Sequence, residues 1–283
     1  MAELGVIIIT IKTFKRYEMK YFLDEKQYQT VTSALEGHMV LDKYCQKNGT
    51  YMIYNLYFDT ENDDIISKSI EKPYYKEKLR MRSYHVPVKD DDIVYLELKK
   101  KIGGIVAKRR ATMTYSEAME FINDGKKPEF DNYNDSQVVD EISDFLARYP
   151  SKPKVYISYE RVAYFDQNDM DFRISFDTRI LTRRNNIDFY DSDYGTALIP
   201  EKKYIMEIKL SKAMPLWMCD ILSKNKIYKT SFSKYGTEFK KYKENQKRSN
   251  HIRNSSSEIP DSIVSNGIPF AIITNKGANK YAR

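Results

Sequence analysis

Arginine and lysine residues recur at two-residue spacing through the first half of the sequence. Residues 78–84 read Lys-Leu-Arg-Met-Arg-Ser-Tyr, and residues 94–101 read Val-Tyr-Leu-Glu-Leu-Lys-Lys-Lys. A period of two is typical of a β-strand with two unlike faces, so Arg80 and Arg82 would share one face with apolar residues behind them. The formal net charge of +7 and the pI near 9.0 favour an anionic partner such as phosphate, nucleic acid or an acidic membrane surface.

The same alternation of polar and apolar residues marks eight segments as strands. Their approximate bounds are 14–22, 51–58, 78–84, 94–101, 105–114, 154–165, 171–182 and 204–211. The polar faces of these strands include ten basic residues, Lys20, Arg80, Arg82, Lys99, Lys108, Arg110, Arg161, Arg173, Arg179 and Lys209. They include four acidic residues, Glu18, Glu97, Asp177 and Glu207. If all these faces point the same way, one surface carries a net excess of positive charge.

Helices and turns must connect these strands. Asp24 is a suitable N-cap for a helix over 25–35 that ends at Gly37. Gly103 and Gly104 stand between two strand patterns at the spacing of a β-hairpin. Further helices are predicted over 116–122, 136–149, 216–222 and from 231 to about 246. The connections suit antiparallel pairing and predict an α+β fold.

Two arrangements of such a sheet are open on the pattern alone. In the first, an antiparallel sandwich shows its charged face to solvent. In the second, helices cover an apolar outer face and the charged face lines a water-filled tunnel, as in a closed barrel turned inside out. The recurrence of Arg and Lys on strand after strand favours the tunnel, because solvent-exposed faces usually mix Lys, Glu, Thr, Ser and Asn.

Composition restricts the class of protein further. Hydrophobic residues make up 41% of the 283 residues, which is enough for a sizeable core. Cys45 and Cys219 form no CxxC pair, which is consistent with a reducing compartment. The apolar run at residues 6–9 is too short to span a bilayer. We predict a soluble, cytoplasmic protein with an extension at residues 1–13, one domain over 14–246 and a poorly ordered tail at 247–283.

Seven short motifs follow one another along the sequence. They are Arg-Tyr-Glu-Met-Lys-Tyr from Arg16, Tyr-Phe-Asp-Thr from Tyr57, Leu-Arg-Met-Arg-Ser-Tyr from Leu79, Leu-Glu-Leu-Lys from Leu96, Tyr-Glu-Arg from Tyr159, Met-Glu-Ile-Lys from Met206 and Ser-Phe-Ser-Lys-Tyr from Ser231. In this order they resemble the VTC domain, the polyphosphate polymerase branch of the triphosphate tunnel metalloenzymes, also called the CYTH-like group. The resemblance covers about residues 14–242 and implies an eight-stranded antiparallel tunnel with a basic interior that binds linear phosphate chains.

The resemblance also implies roles for individual residues and a divalent cofactor, Mn²⁺ or Mg²⁺. The residues expected to act on the triphosphate are Lys20, Arg80, Arg82, Lys99 and Arg161. Those expected to bind substrate or product are Lys108, Arg110, Tyr159, Lys209, Ser233 and Lys234. Glu207 would be the principal metal ligand, with Glu18 as a second. One position departs from the family pattern, because Ser231 stands where Lys is common.

The resemblance implies transfer of the γ-phosphate of ATP to a growing polyphosphate chain. Hydrolysis of a triphosphate is the main rival, but hydrolytic relatives carry Glu-x-Glu-x-Lys where this sequence has Arg16-Tyr-Glu-Met-Lys. A basic tunnel that only binds polyphosphate is a third reading, and metal dependence would separate it from an enzyme. No recognition helix or aromatic stacking motif indicates a nucleic-acid partner. A membrane-protein partner, as fungal relatives have, is not visible in the sequence.

Overall fold

The computed structural model describes residues 17–103, 105–130 and 132–256. The predicted extension at residues 1–13, Arg16 of the first motif, Gly104 of the hairpin and residues 257–283 of the predicted tail lie outside these ranges. The chain divides after Lys240 into two compact units, and the described part of the second unit is the remainder of the last helix. None of the described helices is both long and apolar enough to cross a membrane.

Eleven strands are present among the described residues, and they include all eight predicted strands. The strands are β1 Tyr17–Asp24, β2 Val40–Leu41, β3 Tyr51–Asp59, β4 Tyr75–Ser83, β5 Ile93–Ile102, β6 Ile105–Thr114, β7 Lys152–Phe165, β8 Arg173–Arg183, β9 Thr196–Ala197, β10 Lys203–Leu210 and β11 Lys229–Thr230. The three additional strands, β2, β9 and β11, have two residues each, which is too short for a periodic pattern to predict.

Six helices accompany the strands. They are α1 Glu25–Leu35, α2 Asp64–Ile70, α3 Tyr115–Asp124, α4 Tyr133–Arg148, α5 Leu216–Lys224 and α6 Lys234–Ser256. Asp24 caps α1 as predicted, through a capping box with Gln27. The α2 helix was not predicted from the sequence. The last helix continues past residue 246 to Ser256, through a stretch without Gly or Pro.

All strands pair in an antiparallel manner in one sheet, but the sheet is not a closed barrel. Its hydrogen-bonded order is β11-β1-β10-β8-β7-β3-β4-β5-β6, with β2 paired to β7 and β9 paired to β8. The expectation of closure is therefore not supported. The edge of β1 that would have to meet β6 instead pairs with β11, at Lys20 and Tyr21.

The sheet is nevertheless strongly curved, with its polar face inside. Lys99 on β5 and Glu18 on β1 form an ion pair with 3.6 Å between Nζ and Oε2, although five strands separate β1 from β5. In a flat sheet these two strands would lie about 29 Å apart. The ion pair therefore requires the polar faces of the two ends to approach each other.

The apolar face of the sheet is covered by helices, as the tunnel arrangement predicted. On one side, Leu79, Met81, Leu96 and Leu98 pack in a buried cluster with residues of α3 and α4 such as Phe121, Ile142 and Phe145. Over a different group of strands on the same face, Met206 and Ile208 pack with residues of α1 and α5, among them Val31, Leu35, Met218 and Leu222. Each fully buried side chain of this kind contributes about 1.5–3 kcal/mol to folding. This burial fixes which face of each strand carries the charged residues.

A β-bulge in β8 removes one predicted member from the polar face. The register of β7 with β8 shifts between Ser158 and Glu160, and Arg179 adopts a left-handed backbone with φ of 47°. The Arg179 side chain is 71% exposed and pairs with Glu160. The sequence alternation placed Arg179 beside Asp177, and this is wrong because the extra residue of the bulge reverses the face.

Candidate functional site

Glu97, in the middle of β5, is surrounded by basic residues of the neighbouring strands. Its side chain is 1% exposed, and it lies opposite Arg80 of β4 and Arg110 of β6. Its carboxylate accepts from Arg80 Nε at 2.6 Å, Arg110 Nε at 2.8 Å and Lys108 Nζ at 2.5 Å, with Arg82 Nε at 3.9 Å. Burial opposes its ionisation, but Arg80, Arg82 and Lys108 outweigh burial and hold the pKa of Glu97 well below its usual range. We call these five residues the Glu97 cluster.

Asp177 on β8 organises a second group of cations. Arg161 Nε and Nη2 donate to the two oxygens of Asp177 at 2.6 and 2.8 Å, and Lys234 at the start of α6 also donates to this carboxylate. Burial is outweighed by Arg161 and Lys234, which lower the pKa of Asp177 to about 2. Asp177, Arg161 and Lys234 form the Asp177 cluster.

Polar side chains of β3 and β7 connect the two clusters. Arg82 donates from Nε to Asn55 Oδ1 at 3.2 Å and from Nη2 to the hydroxyl of Tyr159 at 3.5 Å. Burial disfavours the phenolate of Tyr159, but Arg161, Arg82 and Lys234 favour it and lower its pKa to about 8. Tyr57 on β3 accepts from Arg80 Nη1 at 3.3 Å.

Glu18 and Glu207, on the neighbouring strands β1 and β10, form a pair of carboxylates. Lys20 Nζ lies 3.3 Å from Glu18 Oε1 and 3.5 Å from Glu207 Oε2, while Lys209 Nζ lies 2.7 Å from Glu207 Oε1. Burial and Glu207 oppose the ionisation of Glu18, yet Lys99, Lys20 and Lys209 hold its pKa below the ordinary value. Burial also opposes ionisation of Glu207, and Lys209 and Lys20 lower its pKa well below the usual range.

The segment between β11 and α6 closes over these groups. Lys20 Nζ donates to the carbonyl oxygen of Phe232 at 3.3 Å, and Ser233 Oγ accepts from the backbone N–H of Gly236 at 3.3 Å in the first turn of α6. Tyr235 donates to Asp59 Oδ2 at 2.8 Å and is 2% exposed. This buried hydrogen bond anchors the start of α6 and so fixes Lys234 against Asp177.

Lys78 belongs to the same polar face but was not predicted as a site residue. Its position follows from the sequence, because it precedes Arg80 by two residues on β4. Its Nζ lies 5.7 Å from the centre of the Tyr235 ring. Burial, followed by repulsion from Lys76, Lys99 and Lys20, lowers the pKa of Lys78 to about 7. Asn55 and Tyr57 were also missed, although they alternate along β3.

The structure brings together twelve of the thirteen predicted site residues through the contacts above, and Ser233 lies beside them in the closing segment. Arg173, on the predicted charged face, is exposed and donates to the Met170 carbonyl instead.

We define the candidate site as ten cations and four carboxylates. The cations are Lys20, Lys78, Arg80, Arg82, Lys99, Lys108, Arg110, Arg161, Lys209 and Lys234, and the carboxylates are Glu18, Glu97, Asp177 and Glu207. With every group ionised the excess is six positive charges, which is suited to a polyanion. Lys78 and Lys108 carry their full charge only below about pH 7, because burial lowers the pKa of each to about 7.

The carboxylate pair fits a divalent cation that takes its other ligands from phosphate. Mg²⁺ and Mn²⁺ prefer oxygen ligands, and one or two carboxylates suffice when phosphate oxygens complete the coordination. Among the residues that the structure describes, no group of three or more His, Cys, Asp or Glu residues is arranged to hold a metal. A divalent ion held by Glu18 and Glu207 would therefore need phosphate oxygens for the rest of its coordination.

Comparisons with known proteins identify the family of this chain through one family model. A search of the curated proteins found no match. Among solved structures, the chain is similar to the bh2851 protein of Bacillus halodurans, with 14% identity, a TM-score of 0.46 and coverage of 77% of this chain and 95% of that one. It is also similar to the PH1819 protein of Pyrococcus horikoshii OT3, with 14% identity, a TM-score of 0.41 and coverage of 80% and 99%. The family model of the VTC domain matches residues 15–243, which include all the cations and carboxylates of the candidate site, and the chain therefore belongs to the VTC domain family.

Proposed function

We propose that this protein is a polyphosphate polymerase that transfers the γ-phosphate of ATP to a growing inorganic polyphosphate chain, with Mn²⁺ or Mg²⁺ as cofactor. The observation that carries this proposal is the candidate site itself, in which nine of the ten cations pair with four carboxylates on the inner face of a curved sheet. VTC family membership supports the same substrate class.

The cations are positioned before any phosphate arrives. Glu97 and Asp177 hold the guanidinium groups of Arg80 and Arg161 through short hydrogen bonds, so less conformational entropy is lost when phosphate oxygens bind. Because each carboxylate is shared by several cations, the surplus positive charge is available to the substrate. Phosphoryl transfer asks a protein mainly for such positioning and for stabilisation of negative charge.

The proposed reaction joins two phosphate groups. A terminal oxygen of the polyphosphate chain forms a bond to the γ-phosphorus of ATP, and the bond between that phosphorus and the β,γ-bridging oxygen breaks, so that ADP leaves. Arg80, Arg82 and Arg161 would bind the oxygens that carry the developing charge. When bound, the divalent cation would neutralise phosphate charge from its position at Glu18 and Glu207. In this scheme the phosphoryl group passes directly from ATP to the chain, and no residue of the protein forms a covalent bond to it.

The proposal is tested by incubating the purified protein with ATP and Mn²⁺. The products are separated on a gel that resolves long phosphate chains, and free phosphate is measured in parallel. Long chains with little free phosphate would support the polymerase. Free phosphate without chains would show a triphosphatase, and the absence of both products together with polyphosphate binding would show a binding protein. Either of the last two results would overturn the proposal.

A further inference from the structure

A second basic surface lies next to the candidate site. It is a cleft of about 580 Å³ formed by α2, the first residues of β4, the β5–β6 hairpin and the start of α6. Gly103 in the hairpin donates its N–H to the Tyr74 carbonyl at 2.9 Å, and a Cβ at Gly103 would lie 3.0 Å from the Tyr74 ring. The hydrogen bond and the packing of Tyr74 against Gly103 hold this end of the hairpin beside the start of β4, and together they form one wall of the cleft.

The charge of this cleft has one sign. Its lining contains five lysines, Lys72, Lys76, Lys78, Lys101 and Lys240. None of the described residues that line it is an aspartate or a glutamate. The candidate site differs in this respect, since carboxylates there bind most of its cations. A basic cleft without carboxylates has no internal counter-ion that competes with an anionic ligand.

The lysines form a continuous path from the cleft to the candidate site. Burial and repulsion from Lys101 and Lys72 lower the pKa of Lys76. In the pairing of β4 with β5, Lys76 lies opposite Lys101 of the cleft, and Lys78 lies opposite Lys99 of the candidate site. Lys78 also lines the cleft, so the two surfaces meet at this residue. Phe232 and Ser233, in the segment that contacts Lys20, also line the cleft.

We propose that this cleft, which we call the lysine cleft, binds the part of an inorganic polyphosphate chain that extends beyond the candidate site. The proposal rests on the proposed function and adds a second binding segment to it. A ligand no longer than a triphosphate occupies the candidate site alone, whereas a longer chain continues past Lys78 and contacts the lysine cleft. Affinity therefore increases with chain length until the cleft is filled.

The test compares the binding of tripolyphosphate with that of a polyphosphate chain of tens of phosphate units. Both are titrated calorimetrically into the full chain and into the triple variant Lys72→Gln, Lys101→Gln, Lys240→Gln. The matched control removes three charges elsewhere, with Lys126→Gln, Lys212→Gln and Lys224→Gln, which replace lysines that are 74–77% exposed and pair with surface carboxylates. Lys101→Glu alone provides a second, single-site variant.

We expect the cleft variant to lose roughly tenfold in affinity for the long chain, because each exposed cation contributes about as much as an exposed ion pair. Its dissociation constant for tripolyphosphate stays within about twofold of the unmodified value, and the control variant keeps both affinities. The proposal would be overturned if the cleft variant lost affinity equally for both ligands or lost none for the long chain. It would also be overturned if the control variant lost as much affinity for the long chain as the cleft variant. Tighter binding of a single-stranded oligodeoxynucleotide than of polyphosphate would also overturn it.

These results are independent of catalysis. A protein that makes no chains from ATP but shows the length-dependent loss would contradict the proposed function and support the lysine cleft. A protein that makes chains, and whose triple variant binds them as tightly as the unmodified protein, would support the proposed function and contradict the lysine cleft.

Discussion

Arg82 donates from Nη2 to the hydroxyl of Tyr159 at 3.5 Å, and Lys234 Nζ lies 3.9 Å from the centre of the Tyr159 ring. Tyr159 therefore joins Arg82 of the Glu97 cluster to Lys234 of the Asp177 cluster. Arg82 is 7% exposed, yet its nearest carboxylate oxygen, on Glu97, is 3.9 Å away and is shared with other cations. Its main partners are neutral, the amide of Asn55 and the phenol of Tyr159. A buried guanidinium with neutral partners is suited to bind an anion.

Arg82→Ala tests this role. Glu97 would keep Arg80, Lys108 and Arg110, so the variant leaves no buried carboxylate unpaired. We expect the Tm of the ligand-free protein to change little, because relief of repulsion among cations offsets the lost packing. The increase in Tm caused by tripolyphosphate should shrink clearly, and Arg82→Lys should restore only part of it. Differential scanning fluorimetry with and without tripolyphosphate measures both quantities.

Arg184→Ala is the matched structural control. Arg184 lies outside the candidate site with a side chain that is 14% exposed, and it donates to Glu238 at 2.7 and 2.9 Å and to Asp63 at 3.0 Å. Its removal should destabilise the ligand-free protein by about 3–5 kcal/mol while leaving the tripolyphosphate-induced shift intact. If Arg82→Ala behaved like Arg184→Ala, Arg82 would have a structural role.

Glu207→Gln tests the metal site. The amide keeps the size of the side chain and can still accept from Lys209, so the fold should persist. It removes a charged oxygen ligand, and we expect turnover at limiting Mn²⁺ to fall at least about tenfold. Assays over a Mn²⁺ concentration series provide the measurement. Glu160→Gln is the control, since Glu160 pairs with the exposed Arg179. Unchanged activity of the Glu207 variant would direct attention to Glu18.

Lys78→Met should change how stability depends on pH. The unfolded chain holds the proton of this lysine up to about pH 10.5, whereas the folded protein releases it above about pH 7. The charged lysine therefore destabilises the folded state most at and below pH 7, and that cost is lost as the pH rises toward 10.5. We expect Lys78→Met to be more stable than the unmodified protein at pH 6, with a difference that decreases toward pH 10. Urea unfolding across this range tests it, and a difference independent of pH would contradict it.

Tyr159 should titrate apart from the other tyrosines. Its pKa of about 8 reflects three nearby cations that outweigh burial. A spectrophotometric titration should show one phenolate forming near pH 8, and Tyr159→Phe should abolish that step. Because a bound polyanion neutralises the same cations, tripolyphosphate should move the step to higher pH. A titration without this step would mean that the cations lie farther from the phenol.

Much of the sheet follows from local pattern, because burial of one face imposes a period of two on each long strand. That is why the alternation around Arg80, Glu97 and Glu207 predicts which residues meet. Pattern cannot predict the Arg179 bulge, since one extra residue reverses a face without altering composition. Closure is likewise a long-range property, since β1 pairs at Lys20 and Tyr21 with β11, which comes far later in the sequence. Lys78 could have been predicted from its spacing to Arg80.

The pairing of β1 has a consequence for how the protein matures during synthesis. Lys20 donates to the carbonyl of Phe232, a residue 212 positions later, and β1 has both of its sheet neighbours, β10 and β11, in the last part of the sheet to be made. On the ribosome, β1 therefore waits with two unpaired edges while the strands between them emerge. Contacts of such sequence separation form slowly and leave strand edges open to other chains. The part of the site around Lys20 is thus completed only after β10 and β11 have been made, much later than the Glu97 cluster on β4, β5 and β6.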